Sequence, residues 1–121
     1  MEGLTGLRIF IVEDESLITM LIEDALADMG CAIAGIASNV DEAMSKVSSL
    51  EFDAAILDVN LNGSQTYPVA DALAKKGIPF VLSTGYGVAG IPETYQGMPV
   101  LGKPFEQSDL QRALRTALNC S

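Results

Sequence analysis

Side chains capable of chemistry stand at or just beyond the ends of short apolar runs. Glu13 and Asp14 follow Leu7 to Val12, and Asp58 closes Phe52 to Asp58. Ser83 and Thr84 follow Ile78 to Leu82, and Lys103 follows Met98 to Leu101. Taken singly, each has a plain reading. Glu13 and Asp14 suit the positive end of a helix dipole, Asp58 a loop anchor, Thr84 a turn, and Lys103, ahead of Pro104, a solvated surface. Taken together they point elsewhere. If the runs are parallel strands, their carboxyl ends share one edge, where open α/β sheets bind ligands. Three carboxylates gathered there repel: two unit charges about 4 Å apart, in an effective dielectric of about 20, cost roughly 4 kcal/mol. A hard divalent cation answers that repulsion, and Mg²⁺ is commonly held by one or two carboxylates, waters and phosphate oxygens. A cation, the Lys103 ammonium and the Thr84 hydroxyl around a carboxylate make a setting for phosphoryl transfer to that carboxylate. The two positive groups would spread over the equatorial oxygens, and Thr84 would donate to one of them.

The elements that must position these groups follow from the spacing of apolar residues. Leu7 to Val12 predicts a first strand, and Ser16 or Asp14 can cap the helix after it. Leu17, Ile18, Leu21, Ile22, Ala25 and Met29 then form the expected inner face, with Thr19, Glu23, Asp24 and Asp28 outside and Gly30 as the stop. Cys31 to Ala37 predicts a second strand. Asn39 and Glu42 are placed as cap and capping-box partner of a second helix, whose inner face is Val40, Ala43, Met44, Val47 and Leu50. Phe52 to Asp58 does not alternate, which predicts a strand buried on both faces. Asn60, Asn62, Gly63 and Ser64 are turn formers, so a loop is expected after Asp58. Pro68 suits the first turn of a third helix, carrying Val69, Ala70, Leu73 and Ala74 inward and ending at Gly77. Ile78 to Leu82 and Met98 to Leu101 predict the fourth and fifth strands. The glycine-rich stretch between them leaves room for one short helix. A last helix after Phe105 turns Leu110, Ala113, Leu114, Ala117 and Leu118 inward, and its outer charges read as a solvated face. Repeated βα units require parallel strands and right-handed crossovers. The expected fold is therefore α/β: a flavodoxin-like doubly wound five-stranded parallel sheet, order 2-1-3-4-5, with a short or irregular fourth helix.

Composition narrows the function classes. At 121 residues the chain is long enough for one domain and too short for two ordinary ones. Sixteen acids against seven bases give a formal charge of −9, which argues against nucleic acid and against an anionic membrane surface as partners. No apolar run approaches the length of a membrane span, and the N-terminus lacks a signal peptide's basic start, so a cytoplasmic location is expected. Cys31 and Cys120 are far apart and form no metal or redox spacing. Histidine is absent, which excludes a Ser-His-Asp triad, a Cys-His pair, a histidine metal site and a phosphohistidine donor within this chain.

Ile11-Val12-Glu13-Asp14-Glu15, Leu57-Asp58, Ser83-Thr84-Gly85 and Lys103-Pro104-Phe105 occur in the order found in response-regulator receiver domains, and at these residues the chain resembles that family over nearly its whole length. The resemblance implies a signalling module of a two-component system or phosphorelay rather than an enzyme, with at most self-phosphorylation and slow autodephosphorylation. It implies a phosphoryl acceptor at Asp58, with Thr84 and Lys103 gripping the phosphoryl group. Mg²⁺ would be held directly by Asp14, Asp58 and the backbone carbonyl of Asn60, with Glu13 acting mostly through water. The implied partners are a sensor histidine kinase or histidine phosphotransfer protein and an undefined downstream protein. Thr84 is expected to move toward the phosphoryl group on activation, and the surface of the fourth helix, fifth strand and last helix to rearrange. No output domain is expected within residues 1–121.

The departures are specific. Asn62 stands where most receivers carry Pro, and Val100 stands at the usual aromatic switch position, three before the lysine. Ser83-Thr84-Gly85-Tyr86 resembles instead a subgroup of single-domain receivers from alphaproteobacteria, which makes Tyr86 the candidate mobile aromatic. Asn60 and Tyr86 flank the acceptor and are candidates for setting the phosphoryl lifetime. Alternatives are a receiver excised from a hybrid kinase, and a small aspartate-nucleophile phosphohydrolase. The latter usually carries a second acid two residues after the nucleophile, where this chain has Asn60. A plain nucleotide-binding domain would need a glycine-rich turn after the first strand, but Glu13-Asp14-Glu15 there would repel phosphate.

Overall fold

The computed structural model describes residues 4–61, 63–85, 99–103 and 105–119. In order, the elements are β1 (Arg8–Val12), α1 (Ser16–Asp28), β2 (Ala32–Ala37), α2 (Val40–Ser49), β3 (Ala54–Asp58), β4 (Asn60–Leu61), β5 (Ser64–Gln65), α3 (Tyr67–Lys75), β6 (Phe80–Thr84), β7 (Val100–Gly102) and α4 (Gln107–Asn119). Five strands make one parallel sheet in the order β2-β1-β3-β6-β7. With β6 and β7 as its fourth and fifth strands, this is the expected doubly wound arrangement. The expected fourth helix, with Gly87, Gly90, Pro92, Gly97 and Met98, lies outside the described residues, as do Tyr86, Asn62, Pro104 and Cys120.

The central strands are apolar runs because both their faces are covered. Every residue of β3 and β6 is buried. Side chains alternate along a strand, so each strand feeds two cores. Phe10, Val12, Ala55, Leu57, Phe80 and Leu82 pack with Ala43 and Val47 of α2 and with Val69, Ala70 and Leu73 of α3. Ile9, Ile11, Ala54, Ile56, Val81 and Leu101 pack with Ile22, Ala25 and Leu26 of α1 and with Leu110 and Leu114 of α4. The edge strand β2 differs: its first residues, Ala32 and Ile33, are exposed.

Several expectations are corrected. Helix α1 buries Ile22, Ala25 and Leu26, whereas Leu17 and Leu21 are exposed, at 68% and 52%. The helix is apolar over a wider arc than the sheet and α4 can cover, and on the uncovered flank Met20 and Leu21 lie one helical turn beyond Leu17. Met44 of α2 is likewise exposed. Neither Ser16 nor Asp14 caps α1; the cap position is Glu15, without a side-chain cap bond. At α2 the Asn39 side chain accepts from Glu42 N at 2.8 Å as expected. The Glu42 carboxylate, however, accepts from Ser38 N at 2.9 Å, one residue before the cap.

The stretch after Asp58 is more ordered than an open loop. Strands β4 and β5 pair antiparallel, Asn60 against Gln65 and Leu61 against Ser64. Gly63 lies between them at φ +87°, a backbone region that glycine enters without strain. The Asn60 side-chain oxygen accepts from Gly63 N at 2.9 Å, which closes the ribbon.

Candidate functional site

Parallel pairing in register brings the strand ends to one edge, as the sequence required. Asp58 ends β3 and pairs with Ser83 of β6, while Thr84 pairs with Gly102 of β7, one residue before Lys103. Backbone bonds lock this edge. Glu13 N donates to Ala37 O at 3.0 Å, Val59 N to Ser83 O at 2.9 Å, and Lys103 N to Thr84 O at 2.9 Å. The expected residues Glu13, Asp14, Asp58, Thr84 and Lys103 therefore gather at one end of the sheet.

At the centre the Lys103 ammonium bridges two buried acids. Its Nζ lies 3.0 Å from Asp58 Oδ2 and 3.1 Å from Glu13 Oε1. Glu15 Oε1 is more distant, at 4.0 Å. The other Asp58 oxygen, Oδ1, accepts from Asn60 N at 3.1 Å, and Glu13 Oε2 accepts from Glu15 N at 3.2 Å. Glu13, Asp14 and Asp58 can each offer a carboxylate oxygen within 4.8 Å of the others. These are hard oxygen donors, two of them buried and one half-buried, and they fit a small divalent cation. Asn60, whose backbone carbonyl is the remaining expected donor, opens β4 directly beyond this cluster. Thr84 is buried at the same edge, 5% exposed. Tyr86, the candidate switch, is outside the described residues.

The electrostatics record the crowding. Burial first, and the Asp58 charge second, push the Glu13 carboxyl up to about 7, although Lys103 and the Glu15 N–H pull the other way. Burial on its own would lower the Lys103 ammonium, but its bonds and charge attraction to Asp58 and Glu13 outweigh that, and it is raised. The cluster thus favours a cationic Lys103, and a further positive charge beside Glu13 would favour its ionised form.

One participant escaped the sequence reading. Thr66 is wholly buried, and its hydroxyl donates to the Asp58 backbone carbonyl at 2.6 Å. It stands at the cap of α3 yet makes no side-chain cap bond, because the hydroxyl is used on Asp58. A Thr two residues before Pro68 was the available signal, and it marks a helix start rather than a contact eight residues back. Ser83, which the sequence places at the end of the fourth apolar run, is buried at 1% exposure in register with Asp58.

The response regulator receiver domain family matches residues 9–115. Among solved structures, SdrG from Sphingomonas melonis Fr1 is 42% identical, covering 98% of this chain and 99% of that one with a TM-score of 0.84. SdrG in its BeF₃-activated conformation superposes at 0.81 with the same identity. The PhyR receiver domain of Erythrobacter litoralis is 28% identical over 97% of this chain and 93% of its own, with a TM-score of 0.81. PdtaR, a transcriptional regulatory protein of Mycobacterium tuberculosis, is 32% identical over 116 residues, which are 93% of this chain and 57% of PdtaR. The chain spans about half the length of the curated relatives it matches. With the sheet order and the gathered strand-end acids, these matches settle the family: the chain belongs to the response regulator receiver domains, which are generally signalling modules of two-component systems rather than enzymes.

Proposed function

We propose that Asp58 accepts a phosphoryl group in a Mg²⁺-dependent reaction with a phosphohistidine donor, a sensor kinase or a phosphotransfer protein, and that the chain passes the signal on by protein contact. The observation that carries this reading is the Lys103 ammonium held 3.0 Å from Asp58 Oδ2 beside a cluster of three carboxylates. An Asp58 carboxylate oxygen forms the new bond to phosphorus as the bond from phosphorus to the donor nitrogen breaks. Lys103 then turns toward the phosphoryl oxygens, and Thr84 donates to one of them. Glu13, Asp14, Asp58 and the Asn60 carbonyl would hold Mg²⁺, which supplies charge neutralisation between acceptor and phosphoryl group. The donor needs a docking surface beside Asp58. The exposed stripe of Leu17, Met20 and Leu21 on α1, which starts just after Asp14, offers an apolar strip suited to a partner helix. That SdrG, 42% identical, has a BeF₃-activated conformation supports this reading.

Rapid intact-mass spectra after incubation with acetyl phosphate test the reading. One phosphoryl adduct is expected on the wild type with Mg²⁺. None is expected on Asp58→Asn or on the metal-free protein. An adduct that survives Asp58→Asn would move the acceptor elsewhere. Steady turnover of a generic phosphomonoester would favour the phosphohydrolase instead.

A further inference from the structure

Ser83 is 1% exposed, and its Oγ has no hydrogen-bond partner among the described residues. Buried hydroxyls are rarely left so, because burial without a partner forfeits the bond to water. Its surroundings follow from the sheet. On β6, Phe80 and Leu82 face the core under α2 and α3, and Val81 faces the core under α1 and α4. Alternation places Ser83 on the Val81 side. Its register neighbours are Asp58 on β3 and Leu101 on β7. Asp58 lies two residues past Ile56, Glu13 two past Ile11 and Lys103 two past Leu101, all on this same side. Lys103 starts beyond β7, yet its Nζ meets Asp58 at the end of β3. Its side chain therefore spans β6, at the strand end that carries Ser83. The backbone bond from Val59 N to the Ser83 carbonyl fixes Ser83 beneath that span.

We propose that Ser83 is a positioning residue for Lys103, its Oγ accepting one ammonium N–H once the ammonium turns from the bare Asp58 carboxylate to a phosphoryl group carried there. An ammonium has three donors. Two are engaged by Asp58 and Glu13, and the next carboxylate, Glu15, stands at 4.0 Å. The phosphoryl group takes the donor now given to Asp58, and an acceptor beneath the side chain satisfies the remaining N–H and keeps the side chain aimed. The inference rests on Asp58 being the phosphoryl acceptor.

Titration with beryllofluoride in the presence of Mg²⁺ tests it, with ¹⁵N NMR of the Lys103 Nζ group as the second readout. The expected results are an exchange-protected Nζ signal in the wild-type complex, its loss in Ser83→Ala, and about tenfold weaker binding by that variant. Ser83→Thr, which keeps the hydroxyl, restores both. The ligand-free Ser83→Ala protein melts no lower than the wild type, since the hydroxyl removed has no partner there. Binding by Ser83→Ala within twofold of wild type overturns the proposal, and so does weaker binding with the Nζ signal unchanged. A wild-type protein that takes up neither beryllofluoride nor a phosphoryl group from acetyl phosphate instead removes the Asp58 reading itself.

Discussion

Glu13 shows how a single residue reports on the site. Burial, at 3% exposure, and the Asp58 charge push its carboxyl up from the ordinary 4.5 to about 7. A folded-state value raised above the unfolded one contributes stability in full below the ordinary carboxylate value, and that contribution is lost as pH rises through about 7. The metal-free protein should therefore melt progressively lower between about pH 5 and pH 8, and Glu13→Gln should flatten that slope. Thermal unfolding of both proteins across this range checks it; parallel slopes would mean that Glu13 is not the group responsible. Thr66 gives a second residue-level test. Thr66→Val leaves the buried Asp58 carbonyl without the hydroxyl now 2.6 Å away, at a cost of about 1–2 kcal/mol. Urea denaturation reads that loss, and an unchanged midpoint would mean the bond contributes nothing net. The acids, Thr84 and Lys103 were legible in the sequence because each ends an apolar run. Thr66 was not, because its partner is a backbone atom that comes within reach only when the ribbon closes.

Among the elements, α1 shows where periodicity stops being informative. Its spacing identifies a helix, but Leu17, Met20 and Leu21 extend the apolar arc past the face the sheet can cover, and no pattern within the helix says which edge stays outside. If this stripe receives the phosphodonor, Leu21→Glu should slow phosphoryl transfer from a phosphohistidine protein at least about tenfold, the scale of one lost apolar anchor. The same variant should react with acetyl phosphate at the wild-type rate. Equal rates with both donors would place docking elsewhere. The ribbon of β4 and β5 was missed for a different reason. Two-residue strands are too short to alternate, so the turn formers around Gly63 were all that could be seen.

For the molecule as a whole, the parallel doubly wound sheet follows from the βα alternation and right-handed crossovers, and its strand order is the one expected. Among the described residues, no helix is long and apolar enough to cross a membrane. Three of the sixteen acids, Glu13, Asp14 and Asp58, converge on one edge, where their mutual repulsion opposes the folded state. A cation that binds them only in the folded chain adds stability by mass action, about 2.7 kcal/mol at one hundred times its dissociation constant. Mg²⁺ should accordingly raise the melting temperature, EDTA should reverse the rise, and Asp14→Asn should blunt it. A melting temperature indifferent to Mg²⁺ at millimolar concentration would argue against a metal site in these acids.

The bond between the Asn60 side chain and Gly63 N bears on how far this chain stands from a hydrolase in mutational steps. Asn60→Asp would install the acid that aspartate-nucleophile phosphohydrolases carry two residues past the nucleophile. The new carboxylate, however, would inherit the Gly63 N–H, and a carboxylate accepting a backbone N–H is held in its ionised form, unable to lend a proton to a leaving group. Asn60→Asp should therefore show no more turnover of an aryl phosphate than the wild type, and measurable turnover would contradict this. One codon changes the residue but not the hairpin that restrains it, so an evolutionary path from switch to catalyst would have to loosen the turn as well.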